Sequence, residues 1–387
     1  MKKSLLALTL GGLGIGITEF VMMGLLPDIA KDLHISIPQA GHLISAYALG
    51  VVIGAPLLVA IAGSYPPKKI LLALMVMFTV FNAFSAFAPD YTIMFIARLL
   101  AGLPHGAFFG VGSVVASRLA EKGKEAQSVS VMFAGLTIAN IVGVPLGTYI
   151  GHFYSWRYTF VIIVLVGLLT LLSLKFWMPA MEATKNRDLK KELSFFKLPE
   201  AWLIIAMIAI GTGGLFAWFS YIAPLLTEVS GFKAADITYI LVLAGLGMFV
   251  GNFIGGILAD KISPILASLA LLFAMSVALF IMHYVAWNQP MTLIMTFVAG
   301  ALAFASAAPI QMLMINTAKG SEMIAGAVSQ ASFNIGNALG AFLGGLPLIA
   351  GYDYTSPVWV GSLLAMAGAV IAWVLIARTK RQLLVAA

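Results

Sequence analysis

SLLALTLGGLGIGITEFVMMGLLP, residues 4–27, carries a single charged side chain, Glu19, in an otherwise apolar, small or hydroxyl-bearing run. A bilayer core needs roughly 20 such residues per helix, so this stretch reads as one membrane crossing. The rest of the chain is similar. Over 387 residues it is 61% hydrophobic and only 10% charged, with a mean hydropathy of +1.03. A soluble domain is about a quarter charged, so there is too little charge here to coat a soluble core. The composition defines an integral membrane protein and excludes a disordered or collagen-like chain. The absence of cysteine excludes a disulfide scaffold, thiol chemistry and a cysteine-based metal site. Met1-Lys2-Lys3 followed by an apolar run imitates a secretory leader. The run continues past Gly16 to Pro27 with no small-x-small cleavage site, so it is read as an uncleaved first helix.

The same reading places twelve apolar spans, at about 4–27, 39–62, 69–88, 92–117, 128–151, 157–178, 200–224, 237–259, 262–283, 290–317, 323–349 and 356–377. They are continuous apolar runs and not short alternating ones, so an all-α architecture is expected over a β-barrel. Glycine (38) and proline (16) fall inside many of them, as membrane helices tolerate. With both termini cytoplasmic, every Lys and Arg except Lys31, Arg98, Arg157 and Lys233 lies on the cytoplasmic side. That bias predicts an N-in, C-in orientation. It also accounts for the net charge of +7 without a nucleic-acid partner.

The longest polar break, 179–199, divides the chain into six spans and six: a bundle over 1–178, a cytoplasmic linker, and a bundle over 200–387. The halves match at one offset. Ala48-Leu-Gly-Val-Val-Ile-Gly54 aligns with Gly245-Leu-Gly-Met-Phe-Val-Gly251, and Pro27 with Pro224. Lys122-Gly123-x-Glu125 aligns with Lys319-Gly320-x-Glu322. Asn140-x-x-Gly143-x-x-x-Gly147 aligns with Asn337-x-x-Gly340-x-x-x-Gly344. A parallel repeat of this kind lets two similar bundles rock about a site and so alternate its access. Polar groups at depth, which a scaffold would avoid, favour transport over a purely structural duplication.

Over its whole length the chain resembles the major facilitator superfamily, and within it the drug:proton and sugar efflux branch, most like the arabinose efflux permeases. The resemblance rests on Thr18-Glu-Phe-Val-Met-Met-Gly-Leu-Leu-Pro27, Ala40-Gly-His-Leu-Ile-Ser-Ala-Tyr-Ala-Leu-Gly50 and Arg98-Leu-Leu-Ala-Gly-Leu-Pro-His-Gly-Ala-Phe-Phe-Gly110. Gly143-Val-Pro-Leu-Gly147, Ser155-Trp-Arg-Tyr-Thr-Phe160 and Phe216-Ala-Trp-Phe-Ser-Tyr221 extend it. Gly256-Ile-Leu-Ala-Asp260-Lys261 resembles the superfamily's loop motif, which the resemblance implies is conformational. The first half departs from that motif: Gly63-Ser64-Tyr65-Pro66-Pro67-Lys68-Lys69 keeps the basic pair and lacks the acid. Gly143, Pro145 and Gly147 resemble the antiporter motif of export branches. Small residues and proline there permit close helix approach and a kink.

Glu19 is the one acid deep in any span, and a mid-bilayer charge costs about 3 kcal/mol or more unless it meets a cavity or a partner. It lies eight residues before Pro27, roughly 12 Å from the outer end of its helix at the α-helical rise. Arg98 lies at matching depth on the fourth span, seven residues past Tyr91, so an ion pair, direct or through water, is expected. Burial and a neighbouring arginine act on a carboxyl in opposite senses, the balance that proton coupling needs. The resemblance implies the same roles for an acid in the first helix and the arginine of the fourth. A static structural pair is the alternative. His105, two turns past Arg98, suits a proton relay, a neutral hydrogen bond to substrate, or helix packing.

Gln330, Asn334 and Asn337 share one face of the eleventh span by their spacing, and Trp218 and Tyr221 one face of the seventh. With Gln311, Asn140, Tyr47, Phe108 and Phe109 they make a set of amides and rings suited to a neutral solute. Taken singly, each also suits helix packing. There is no Walker motif, no metal-ligand spacing and no catalytic triad, so no cofactor is expected and the chain is not read as an enzyme. The expected function is proton-coupled export of small organic solutes, sugars or drugs, by a monomer in the lipid bilayer of the bacterial inner membrane. A facilitative or uptake sugar carrier is the alternative. An intramembrane enzyme or a sensor is more remote, for want of a nucleophile–base pair or a soluble domain.

Overall fold

The computed structural model describes residues 3–62, 65–121, 125–182, 194–318 and 322–386. Met1 and Lys2, Gly63 and Ser64, Lys122 to Lys124, Lys319 to Ser321 and residues 183–193 of the linker lie outside the described residues, with the sequence features they carry. All the regular structure described is helical.

The first half contains α1 (Lys3–Asp32), α2 (Ile37–Ala62), α3 (Pro67–Ala86), α4 (Tyr91–Leu119), α5 (Glu125–Ile138), α6 (Val144–Ile150) and α7 (Trp156–Trp177). The second contains α8 (Pro199–Ser220), α9 (Ile237–Lys261), α10 (Pro264–Val285), α11 (Gln289–Ala305), α12 (Ala307–Thr317), α13 (Glu322–Ile349) and α14 (Ser356–Ala386). Among the described residues, eleven helical runs are long and apolar enough to cross a bilayer. One of them, Val131–Trp177, covers two of the spans placed from sequence. Its helical turns continue through wide π-turns at Ala139–Gly143 and Gly151–Ser155. The backbone nevertheless changes direction at Ser155, which is extended (φ −164°, ψ 136°) and caps α7 by accepting from the Arg157 N–H.

Two further spans are broken where a proline removes an amide donor and crowds the carbonyl four residues before it. α8 ends at Ser220, four residues before Pro224. Tyr221 leaves helical geometry there (φ −114°, ψ 20°), and the chain resumes through Ile222–Pro224 and a π-turn at Leu225–Val229. α11 ends at Ala305, four residues before Pro309, and α12 begins after Ser306.

The chain forms two compact units. One is Met1–Arg187 with Lys233–Val242, and the other Asp188–Phe232 with Leu243–Ala387. In the first unit α1 is buried along nearly its whole length and packs on α5 and α7, while α2 lies along α4 and α3 along α7. In the second, α8 packs on α13 and α14, and α10 on α14. A helix that is apolar all round belongs at such a centre. Large apolar side chains also cover the outside: Leu49, Ile53 and Leu57 on α2, and Phe273, Val277 and Phe280 on α10, are all exposed. Hydrocarbon is the solvent that such a surface suits.

The sequence repeat has a packing counterpart in each unit. A Cβ on Gly50 would stand 2.0 Å from the Leu99 carbonyl oxygen of α4, and one on Gly54 2.1 Å from that of Leu103. At the matching positions, a Cβ on Gly247 would stand 2.3 Å from the Phe297 oxygen of α11, and one on Gly251 1.9 Å from that of Ala301. Helices that approach this closely have room only for hydrogen at those points. Gly54→Ala and Gly251→Ala are each expected to destabilise the purified protein by about 1–3 kcal/mol, as overpacking does. Gly326→Ala, where no atom lies within 4 Å of the added Cβ, should leave the melting temperature in detergent unchanged.

Candidate functional site

In the first unit, a polar cluster lies inside the apolar bundle. Arg98 of α4 is fully buried. Its Nη1 donates to Thr18 Oγ1 at 3.0 Å and its Nη2 to the Thr18 carbonyl oxygen at 3.0 Å. The guanidinium carbon lies 4.3 Å from the centre of the Tyr47 ring and 5.8 Å from that of Phe160, so aromatic faces shield the cation. Glu19 is buried and close enough to act electrostatically on both Arg98 and Tyr47. The sequence placed Glu19 and Arg98 at one depth, and the structure places them in one cluster. The guanidinium's named hydrogen bonds go to the residue before Glu19.

Tyr47 continues the cluster along α4. Its hydroxyl pairs with His105 Nδ1 at 3.1 Å, the donor being set by the imidazole tautomer. The His105 ring packs on Phe109 (5.4 Å between centroids), which stacks on Phe133 (4.9 Å). Tyr47 thus links Arg98 to His105. Phe108 lies against α1, where its ring fills the space beside Gly11. Asn140 is buried and its amide donates to the Leu136 carbonyl of its own helix at 3.0 Å. Downstream, the π-turn at Ala139–Gly143 leads into Pro145, which has no N–H to return to the preceding turn. Gly143 faces Ile17 and Gly147 faces Val21 and Thr159, so this stretch is pressed onto α1 and α7.

In the second unit, Gln311 accepts from Ser329 (2.7 Å) and the Tyr221 hydroxyl donates to the Ala341 carbonyl (2.6 Å). The Asn334 amide donates to the Gln330 carbonyl at 3.1 Å, and Gln330 is half-buried. Of the predicted set, three buried side chains keep polar atoms with no hydrogen-bond partner: Trp218 Nε1, Asn334 Oδ1, and both Nδ2 and Oδ1 of Asn337; the hydroxyls of Ser220 and Thr296 in the same unit are likewise unpartnered. Buried polar atoms are ordinarily paired, and those three side chains hold the groups of the predicted set that are not. Lys261 is exposed at the end of α9. Gly256 and Asp260 lie within that helix, but their surroundings are outside the described residues.

The sequence reading missed Thr18 and Asn82 as members of the cluster. Thr18 Oγ1 donates to Asn82 Oδ1 at 2.6 Å, and Asn82 Nδ2 donates to the Phe78 carbonyl at 2.8 Å. Asn82 is a buried amide in a membrane helix, and the rule that singled out Glu19 reaches it too. At the C-terminal end of α1, Asp32 bonds Arg157 and accepts from Trp156 Nε1 (3.0 Å), and Asp28 meets His152 (3.1 Å). Arg157 also donates to the Ala88 carbonyl (3.0 Å). Here the Ser155-Trp-Arg stretch ties the end of α1 to the start of α7. Among the described residues no group of three His, Asp or Glu is arranged to hold a metal.

Residues 8–328 match the Major Facilitator Superfamily. The chain is 40% identical to AraJ of Escherichia coli (strain K12) over 382 residues, covering 99% of this chain and 97% of that protein. It is 40% identical over 362 residues to the inner membrane transport protein YdhP of the same strain, covering 93% and 92%. It is 30% identical over 380 residues to the chloramphenicol resistance protein of Streptomyces lividans, covering 96% of each. In fold it is similar to the crystal structure of a D-xylose-proton symporter, with a TM-score of 0.74, 17% identity, and 96% and 97% of the two chains covered. The chain belongs to the Major Facilitator Superfamily. It is a transporter and not an enzyme, and a multi-pass protein of the bacterial inner membrane.

Arg98→Lys keeps the charge but replaces a planar fork with a point donor. It cannot reach both Thr18 acceptors and lie flat on Tyr47 in the same way. A charged hydrogen bond contributes about 1.5–3 kcal/mol, and a loss of that size is expected in the thermal unfolding of the detergent-solubilised variant.

Proposed function

We propose that this transporter exports small organic solutes in exchange for protons, by alternating access. The observation that carries the reading is a buried carboxyl, Glu19, in the same cluster as a buried arginine held on the adjacent residue. A carboxyl at that depth has a use if it takes and loses a proton during a cycle. Glu19 is the proton site, Arg98 tunes it, and His105 joins it through Tyr47. Outside, Glu19 takes a proton and substrate leaves. After reorientation it loses the proton to the cytoplasm and substrate affinity returns. Proton and substrate compete through the conformational equilibrium and need not touch.

In the same reading the chain has twelve spans with both termini cytoplasmic and functions as a monomer. Its six-helix bundles are 1–178 and 200–387, and the linker is 179–199. The direction of transport is supported by the antiporter-like Gly143-Val-Pro145-Leu-Gly147 and by similarity to a protein named for chloramphenicol resistance. Gly256, Asp260 and Lys261 serve the conformational change. The unpartnered groups of Trp218, Asn334 and Asn337 suit a neutral or weakly amphipathic solute, with Gln330, Gln311 and Tyr221 as neighbours in the predicted set. An indole offers a face and a donor, and amides offer both donor and acceptor.

The test is transport in proteoliposomes with an imposed pH gradient, following a pH dye while arabinose, other sugars and chloramphenicol are added. Wild type should show substrate-triggered proton flux with at least one of them. Glu19→Gln should abolish the flux while tracer exchange without a gradient persists. Uphill, gradient-driven transport by Glu19→Gln would overturn the proton assignment. With the solute so identified, Asn337→Leu should raise its half-saturating concentration about tenfold, the loss of one to two hydrogen bonds. An unchanged value would remove Asn337 from the binding surface.

A further inference from the structure

We propose that Asn82 of α3 is a positioning residue for the proton site, acting through the Thr18 hydroxyl to hold the Arg98 guanidinium in register with Glu19. This rests on the reading of Glu19 as the group that takes the proton.

The direction of the hydrogen bonds is determined by counting protons. Arg98 Nη1 can only donate, so Thr18 Oγ1 accepts from it, at 3.0 Å. The one hydroxyl proton of Thr18 is left for another acceptor, and it goes to Asn82 Oδ1 at 2.6 Å. The orientation of the Asn82 amide follows as well. Its Nδ2 donates to the Phe78 carbonyl of its own helix at 2.8 Å, and a carbonyl can only accept, so Oδ1 must face Thr18. Thr18, Asn82 and Arg98 are all fully buried, so no bulk water replaces a missing partner.

A threonine in a helix otherwise divides its side chain between two rotamers and returns its hydroxyl to a carbonyl of the preceding turn. Asn82 offers an acceptor from outside the helix and selects the rotamer whose oxygen faces Arg98. The second anchor of the guanidinium is the Thr18 main-chain oxygen, at 3.0 Å, which no side-chain change removes. Arg98 Nε has no hydrogen-bond partner. The two terminal nitrogens therefore carry the named anchors, and both anchors are on residue 18. Because Thr18 precedes Glu19 in the chain, the cation is located relative to the Glu19 backbone whether or not the carboxyl is charged.

A coupling site needs this. If the guanidinium followed the carboxylate charge alone, it would be released each time Glu19 became neutral. Among the described residues, Arg98 on α4 and Tyr47 on α2 are titratable groups that interact electrostatically with Glu19, with His105 behind Tyr47. The cluster's members from α3 and α7, Asn82 and Phe160, do not titrate.

The experiment is an infrared difference titration of the carboxyl C=O band in the full-length protein, reconstituted in lipid without substrate. Wild type should show a titrating band that Glu19→Gln removes. Thr18→Val, which keeps the shape and removes the oxygen, and Asn82→Leu should each move the midpoint of that band by at least threefold in proton concentration, in the same direction. The double variant should move it no further than the larger single change, since both act through one bond. Thr18→Ser, which keeps the hydroxyl, should restore the wild-type midpoint. If Asn82→Leu does not fold, the Thr18 pair of variants carries the comparison alone. A band lost in Glu19→Gln but unmoved in Thr18→Val would overturn the role of Asn82 and leave Glu19 as the proton site. A wild type with no band sensitive to Glu19→Gln would overturn the Glu19 reading itself, and the positioning role with it.

Discussion

A guanidinium inside a bundle solvated by hydrocarbon has only other protein groups to bond, and the first unit is arranged around that requirement. Arg98 donates from both terminal nitrogens to residue 18 of α1 and rests its face on Tyr47 of α2. Thr18 in turn hands its proton to Asn82 of α3. Four helices are thus joined at one cation. An unpaired charge at this depth would cost several kcal/mol, so each of these contacts constrains where the helices stand. Glu19 is within electrostatic reach of the same cation. The cation on which the proposed proton site depends is therefore also a structural knot.

The packing that brings those helices together comes from the absence of side chains at a few points. The glycines at 50 and 54 on α2, and at 247 and 251 on α9, face carbonyl oxygens of α4 and α11 at distances that leave no room for a Cβ. Between membrane helices the hydrophobic effect contributes little, because lipid is as apolar as leucine, and close backbone approach supplies van der Waals contact instead. Repetition of this contact in both units is the physical form of the sequence repeat. The prolines act the other way. Pro224 and Pro309 each interrupt a helix four residues upstream; at Tyr221 the backbone leaves helical geometry, while at Ser306 it stays helical in its dihedrals, all without any change in hydropathy.

Membrane residence and the helical class were legible in the chain, as was the matching depth of Glu19 and Arg98, because each follows from one-dimensional quantities: run length, charge and depth counted along a helix. Thr18 and Asn82 were not singled out. Isolated polar residues are frequent in membrane helices, and nothing in their spacing says that they point at one another. The second-half amides illustrate the same limit. Their spacing put Gln330, Asn334 and Asn337 on one face, yet only the structure separates groups already bonded, such as Gln311 with Ser329, from those left open, such as Asn337. Tyr47 was grouped with aromatic substrate contacts by residue type, whereas its neighbours are Arg98 and His105.

The sequence by itself determined the solvent, the helical architecture, the internal repeat and the depth of the charged side chains. Those follow from composition and from the fixed rise of a helix. The tertiary structure decided which side chain meets which. A hydrogen bond depends on the azimuth of two helices and on the rotamer of each partner, and neither is set by position along the chain. Arg98 could have met any acceptor at its depth. It meets Thr18, and Thr18 meets Asn82, because α1, α3 and α4 are rotated to present those residues to one another and because each donor in turn removes one choice from the next.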